Sequence, residues 1–135
     1  MKPIILSFIV ALSSAGCAMQ PITAAQATKV PSDRIYASDL LTPDGKRSVP
    51  VTVTRDIGFA NVFGTVLLVN GRRVAKLGAG DGITIYLTPG AIAFGLESGA
   101  FNGEFSEVIS AGQTQRFRIT TIGQAGWRLS RTAYL

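Results

Sequence analysis

Apolar and polar residues alternate in short runs along most of the chain. In Val49–Thr54 three valines occupy every second position, and Ile83–Leu87 has the same two-residue period. Successive side chains of a β-strand point to opposite faces, so this period predicts strands with one buried face. Pro50 lacks a backbone N–H, which places it at a sheet edge or a strand start. No segment has helical periodicity over the length of a helix, so the pattern predicts an all-β domain over residues 33–135.

Turn residues separate these runs at intervals of about ten residues. Asn70-Gly71 stands between the apolar run Val62–Val69 and the run Arg73–Leu77. Asn-Gly favours a two-residue hairpin because both turn positions need a positive φ. Pro89-Gly90 predicts a further turn after Leu87. About seven or eight short strands with this spacing predict a single small β-sandwich of the immunoglobulin-like kind.

The first sixteen residues have a different pattern. Lys2 gives a positively charged start, Ile4–Leu12 is an apolar run, and Ser13–Gly16 are small residues. This order is typical of a secretory signal peptide. The apolar run is shorter than the roughly 20 residues that a membrane-spanning helix needs. Residues 1–16 are therefore predicted to be a cleaved signal peptide.

Cys17 follows the small residues directly, and the junction resembles the lipobox of bacterial lipoproteins. In that pattern the cysteine becomes the acylated N-terminus, and leucine stands three residues before it, where this chain has Ser14. The resemblance implies lipidation of Cys17. Ala18 in the next position implies sorting to the outer membrane, with the domain on the periplasmic side. The alternative is a plain secreted protein, cut near Ala18 or Ala25.

Residues 17–32 link this junction to the domain. They are rich in Ala, Thr, Gln and Pro, with Pro21 and Pro31 near the two ends. No amphipathic face is visible, so the segment is predicted to be a flexible tether.

Composition limits the chemistry that the domain can perform. The formal charge is +5, and it falls to +4 once the leader takes Lys2 away. The basic residues are not clustered on one element as in nucleic-acid-binding proteins, so no nucleic-acid partner is expected. One cysteine excludes an internal disulfide, and the absence of histidine removes the commonest general base and metal ligand. We expect no metal, no cofactor and no enzymatic activity.

Several turn motifs resemble those of a family of small bacterial envelope lipoproteins of unknown function, and their layout resembles PEGA-type domains. The resemblance covers about residues 48–135. The motifs that carry it are Arg55-Asp56-Ile57-Gly58, Val62-Phe63-Gly64, Val69-Asn70-Gly71-Arg72-Arg73-Val74-Ala75, Tyr86-Leu87-Thr88-Pro89-Gly90, Ala111-Gly112-Gln113, Phe117-Arg118-Ile119 and Arg131-Thr132-Ala133. The family implies a β-sandwich lipoprotein and no known activity. Its members often carry additional cysteines, which this chain lacks.

The candidate binding residues are basic. If the strands that carry them are neighbours, they form a stripe that could meet lipopolysaccharide phosphate or an acidic partner. The alternative is that alternation points these charges outward for solubility and protects the sheet edges. The residues are Arg72, Arg73, Lys76, Arg116, Arg118 and Arg128.

Two functions fit these features. The first is a non-catalytic structural or interaction module of the cell envelope, held to the membrane by the N-terminal lipid and bound to another envelope protein or an envelope polymer. The second is an inhibitor of a hydrolase such as lysozyme. Lysozymes are basic, as this domain is, so charge complementarity favours the first function.

Overall fold

The computed structural model describes residues 20–58, 64–122 and 126–133. The predicted signal peptide and Cys17 lie outside these residues. The described residues form two short 3-10 turns, Ser32–Arg34 and Ser38–Leu41, and nine strands. The strands are β1 (Thr28–Lys29), β2 (Val49–Arg55), β3 (Thr65–Val69), β4 (Arg72–Leu77), β5 (Asp81–Leu87), β6 (Gly90–Ser98), β7 (Phe101–Ile109), β8 (Gln115–Ile122) and β9 (Gly126–Arg131).

The strands form two sheets, which confirms the predicted all-β sandwich. One sheet has five strands in the order β1-β5-β2-β8-β9, and the other has four in the order β4-β3-β6-β7. β2 pairs in parallel with β8, and β1 in parallel with β5, while the remaining pairs are antiparallel. β2 therefore lies at the centre of its sheet. Pro50 is its second residue, so the predicted strand start is confirmed and the sheet-edge alternative is wrong.

The core lies between the inner faces of the two sheets. Val51 and Val53 are fully buried, as the two-residue period predicts. The rings of Phe94 and Phe117 meet across the core with centroids 5.1 Å apart, which joins the four-stranded sheet to the five-stranded one. Arg131 adds a contact along one edge, where its Nε lies 3.1 Å from an oxygen of Glu107 on β7.

The Asn70-Gly71 hairpin is confirmed. The φ angles of the two residues are 49° and 79°, and Val69 pairs with Arg72 across the turn. The Asn70 side chain also accepts a hydrogen bond from the Ala93 N–H at 3.0 Å, which ties the hairpin to β6. Asn and Gly are the residues that adopt this left-handed conformation most easily, so the local sequence specifies the turn.

The predicted flexible tether is wrong over the part that the structure describes. Gln20 and Ile57 exchange backbone hydrogen bonds, with 2.9 Å from the Ile57 nitrogen to the Gln20 oxygen. β1 then pairs with the edge of β5, and Ile22 and Val30 are buried. The edge of β5 offers unpaired backbone groups, and residues 20–32 satisfy some of them. Two isolated apolar residues among alanines, threonines and prolines give too weak a pattern to predict this packing.

Three chain segments meet at the end of the sandwich where Gln20 attaches. β2 and β8 run in parallel and both finish there, while β5 begins there. The Gly80 nitrogen donates to the Arg55 oxygen at 3.0 Å, and the Asp56 nitrogen donates to the Ile119 oxygen at 3.0 Å. We call this region, formed by residues 55–58, 78–81 and 119–122, the Gln20 end. The Asn70-Gly71 hairpin lies at the opposite end.

The hairpin provides a test of the backbone assignment. Gly71→Ala should lower the free energy of unfolding by about 1 kcal/mol, because an alanine at φ 79° is strained although no atom lies within 4 Å of its Cβ. Gly45→Ala is the matched control. Gly45 has equal space without a positive φ, so alanine there should leave stability unchanged or raise it by a few tenths of a kcal/mol. Urea unfolding of both variants measures this difference, and equal effects would contradict the assigned turn.

Candidate functional site

The six basic residues expected to bind a partner do not form one stripe. Three lie on β4 in the four-stranded sheet, and three lie on β8 and β9 in the five-stranded sheet. In the second group Ser130 pairs with Arg118 and Thr120 pairs with Arg128, so Arg128 is a diagonal neighbour of Arg118. The structure therefore brings together Arg116, Arg118 and Arg128 on one outer face, and Arg72, Arg73 and Lys76 on another strand.

Two of the three β4 residues are engaged by acidic side chains. Arg72 holds Asp39 with both terminal nitrogens, at 2.5 and 3.0 Å, and Arg73 lies 2.9 Å from Glu97. Lys76 makes no ion pair with any residue that the structure describes. Its side chain covers Gly64, where an added Cβ would collide with the lysine Cε. Only Lys76 of this group is therefore available to a partner as an uncompensated charge.

The group on β8 and β9 is also partly used within the fold. Arg118 binds the fully buried Asp56 through Nη2 and through Nε at 3.0 Å. The Arg116 Nε is buried with no hydrogen-bond partner in the described part of the chain. Arg128 is exposed and makes no ion pair there. Arg128 and Lys76 are thus the freest cations among the six predicted binding residues.

A buried arginine at the Gln20 end is the charged group that sequence reasoning missed. Arg55 continues the inward face of Val51 and Val53, and it is fully buried. Its Nη1 donates to the Leu77 oxygen at 2.7 Å, and its Cζ lies 4.5 Å from the centroid of the Trp127 ring. Burial lowers the pKa of Arg55 to about 10, and the nearby negative charge of Asp81 partly opposes this. Arg55 therefore remains charged at neutral pH.

Two buried carboxylates accompany Arg55. Asp81 lies 3.0 Å from Arg34 and accepts the Gly78 N–H at 2.7 Å, while Asp56 is bound by Arg118 as described above. The glycine-rich stretch around Gly78 is the turn between β4 and β5. The Asp81 carboxylate accepts the hydrogen bond of the Gly78 N–H, so this N–H is not available to a bound anion.

The charged groups at the Gln20 end are paired across chain segments. Each carboxylate is held by an arginine, and no histidine exists in the chain to act as a base. Within residues 20–58, 64–122 and 126–133, no three metal-binding side chains come together. The charges join the end of β2 to the β4–β5 turn and to β8. The signal that could have revealed this cluster is the position of Arg55 on the apolar face of β2.

A shallow groove of about 760 Å³ lies between the N-terminal segment and the outer face of the five-stranded sheet. Its floor includes Thr52, Thr84 and Tyr86, and its walls include Val30 and Ile35. The hydroxyl oxygens of Thr52 and Thr84 are hydrogen-bonded to each other at 2.8 Å. The groove exists because residues 20–41 pack against the sheet. Its size falls in the range of small-ligand sites, and its lining is mainly apolar.

No family model, curated protein or solved structure matches this chain. Among the described residues, none forms a helix with the length and apolar character needed to cross a membrane. The resemblance to PEGA-type lipoproteins therefore stays a prediction from motifs.

The buried pair of Asp56 and Arg118 gives a prediction about stability. Arg118→Ala should destabilise the fold by about 3 kcal/mol, because it leaves a fully buried carboxylate without its counter-charge. Arg128→Ala is the matched control on the adjacent strand, and it should change stability by less than about 0.5 kcal/mol. Chemical unfolding followed by tryptophan fluorescence measures both. The pair would have no structural role if the two variants lost equal stability.

The ion pair of Arg72 with Asp39 gives a prediction about pH. The hydrogen bonds that the Arg72 side chain donates to Asp39 are the main reason why the pKa of Asp39 is lowered from 3.8 to about 2. A lowered folded-state pKa contributes stability that is fully present above pH 4 and is lost as the pH falls through 2. Asp39→Asn should therefore reduce the denaturation midpoint clearly at pH 7 and by much less at pH 2, where the folded-state carboxyl is about half protonated.

The control for this prediction is Asp33→Asn. Asp33 is also exposed in a short 3-10 turn, but it makes no ion pair with another described residue. Its substitution should give only a small change, because no ion pair is lost. Thermal unfolding between pH 2 and pH 7 compares the two variants, and a constant difference between Asp39→Asn and the original protein across that range would contradict the pairing.

Proposed function

We propose that this protein is a lipoprotein of the bacterial outer membrane whose β-sandwich lies in the periplasm and acts as a non-catalytic structural or interaction module of the cell envelope. Acyl chains on Cys17 supply the anchor. Several chains on one residue bind a membrane strongly, because each buried methylene contributes about 0.8 kcal/mol. The domain then needs no membrane-spanning element of its own.

The observation that carries the proposal is where the fold begins. Gln20 pairs with Ile57, and Ile22 is buried, so Gln20, three positions after Cys17, is already part of the fold. Cleavage before Cys17 would remove no residue of this fold. The alternative cleavage near Ala25 would remove the Gln20 bridge and the buried Ile22. The structure thus supports cleavage at or close to the cysteine over cleavage further along.

The non-catalytic part of the proposal rests on how the charges are used. The buried carboxylates Asp56 and Asp81 are neutralised by arginine, and their chemistry holds strands together. The surface still offers Lys76, Arg128 and the groove beside Tyr86. These features suit contact with another envelope protein or an envelope polymer such as peptidoglycan or lipopolysaccharide. The sandwich fold is also the fold that the PEGA-like resemblance implies.

The anchor is tested by expressing the full chain, the Cys17→Ser variant and the Ser14→Leu variant in a bacterium with two membranes. Mass spectrometry of the N-terminal peptide should find a diacyl or triacyl modification on Cys17, and density-gradient fractions should place the protein with the outer membrane. Cys17→Ser should lose both properties. Ser14→Leu restores the leucine of the lipobox, so it should be processed at least as completely as the original chain.

An unmodified N-terminus that begins after Cys17 would overturn the anchor, and sedimentation with the inner membrane would overturn the outer-membrane address. Crosslinking in intact cells followed by affinity purification addresses the second part of the proposal. Envelope proteins or polymers among the captured material support an interaction module. Selective capture of a hydrolase, with inhibition of its activity, would support the inhibitor instead.

A further inference from the structure

The chain between the proposed lipid anchor and the folded domain is very short. Gln20 is held to Ile57 by two backbone hydrogen bonds. Two residues separate Cys17 from Gln20, and an extended chain covers at most about 10 Å over these three Cα–Cα steps. A free tether over residues 17–32 would instead reach roughly 50 Å. The bridge therefore brings the Gln20 end close to whatever surface holds Cys17.

The Gln20 end has exposed apolar side chains. Ile57 is 46% exposed and lies beside Gly80, and Ile122, at the finish of β8, is 55% exposed. β2 and β8 are adjacent parallel strands, so both isoleucines project from the same end of the sheet. Large aliphatic side chains gain free energy when they leave water for the boundary region of a bilayer.

The charges around the Gln20 end are suited to an anionic lipid surface. Its own carboxylates, Asp56 and Asp81, are buried and paired with arginine. Lys29, Lys76 and Arg128 are exposed, and they lie within three residues of the strand ends on that side. None of these three forms an ion pair with a described residue. Basic residues close to a membrane surface are attracted to acidic lipid headgroups.

We propose that the Gln20 end is a membrane-contact surface, on which the sandwich rests with Ile57 and Ile122 at the level of the lipid headgroups. The inference depends on the proposed lipidation of Cys17 and adds an orientation to it. β2 has seven residues, so the opposite end, with the Asn70-Gly71 hairpin, stands about 24 Å further from the bilayer. In this orientation Lys76 and Arg128 meet lipid headgroups, and the distant end and the groove beside Tyr86 are the surfaces that protein or polymer partners can reach.

The orientation is tested on the intact lipoprotein in vesicles. Ala79→Cys at the Gln20 end and Ser110→Cys at the opposite end each receive a thiol-reactive fluorophore, and acylated Cys17 has no free thiol to compete. The vesicles contain phosphatidylcholine, phosphatidylglycerol and a lipid with a nitroxide quencher on its headgroup. We expect quenching at position 79 to exceed that at position 110 by about three-fold or more. The two ends of the sandwich differ in their distance from the bilayer by several times the thickness of the headgroup region.

Side-chain variants test the contact itself. Ile57→Ser and Ile122→Ser should each reduce the quenching at position 79 by about two-fold, because they weaken insertion into the headgroup region. Val108→Ser is the matched control. Val108 is 62% exposed but pairs with Ala91 near the opposite end, so its loss should leave quenching at position 79 unchanged. All three residues are exposed, and circular dichroism of each variant checks that the sandwich is retained.

Mass spectrometry of the same samples separates failure of this inference from failure of the anchor. Absence of acyl mass on Cys17 would overturn the proposed function. Acylated protein with equal quenching at positions 79 and 110 would overturn only the orientation, and it would mean that the Gln20 bridge opens on the membrane. Equal effects of Ile57→Ser, Ile122→Ser and Val108→Ser on the quenching at position 79 would likewise overturn the proposed contact surface. The proposed lipid anchor would be unaffected by that result.

Discussion

The buried charges at the end of β2 hold together parts of the molecule that lie far apart in sequence. Arg55 reaches from β2 to the Leu77 carbonyl and to the Trp127 ring, so it connects both sheets. Asp56, the next residue, binds Arg118 on β8. Burying a charge away from water costs free energy unless the charge is paired or hydrogen-bonded. The buried charges therefore allow only a narrow range of relative positions for the strands that carry them. Ile57 follows directly, and its backbone is thereby positioned to receive Gln20.

That connection changes how the N-terminal region relates to the domain. A segment of mixed small residues would remain a flexible linker if it met only water, because it has too little apolar surface to offset its loss of conformational entropy. Here it meets an exposed strand edge and the Ile57 backbone, and Ile22 and Val30 are buried as it packs. The free chain before the fold shortens to a few residues. A domain joined to its attachment point by such a short linker has a restricted orientation relative to that point.

The predicted binding residues show what alternation can and cannot reveal. The two-residue period correctly placed Arg116 and Arg118 on the outer face of a strand whose inner face carries Phe117. It could not show that Arg72 would be neutralised by Asp39, because the two residues are 33 positions apart in the chain. It also could not assign Arg72 and Arg118 to different sheets. Strand order depends on long-range pairing, which local patterns do not encode.

Local residue chemistry by itself determined the all-β class, the main strands and the Asn70-Gly71 hairpin. These features depend on side-chain alternation and on φ preferences, which act over two to ten residues. The tertiary structure alone decided the central position of β2, the partners of Arg55 and the docking of residues 20–32. Each of these requires a partner brought from far along the chain. Its free energy comes from desolvation and backbone pairing that exist only after the sheets have assembled.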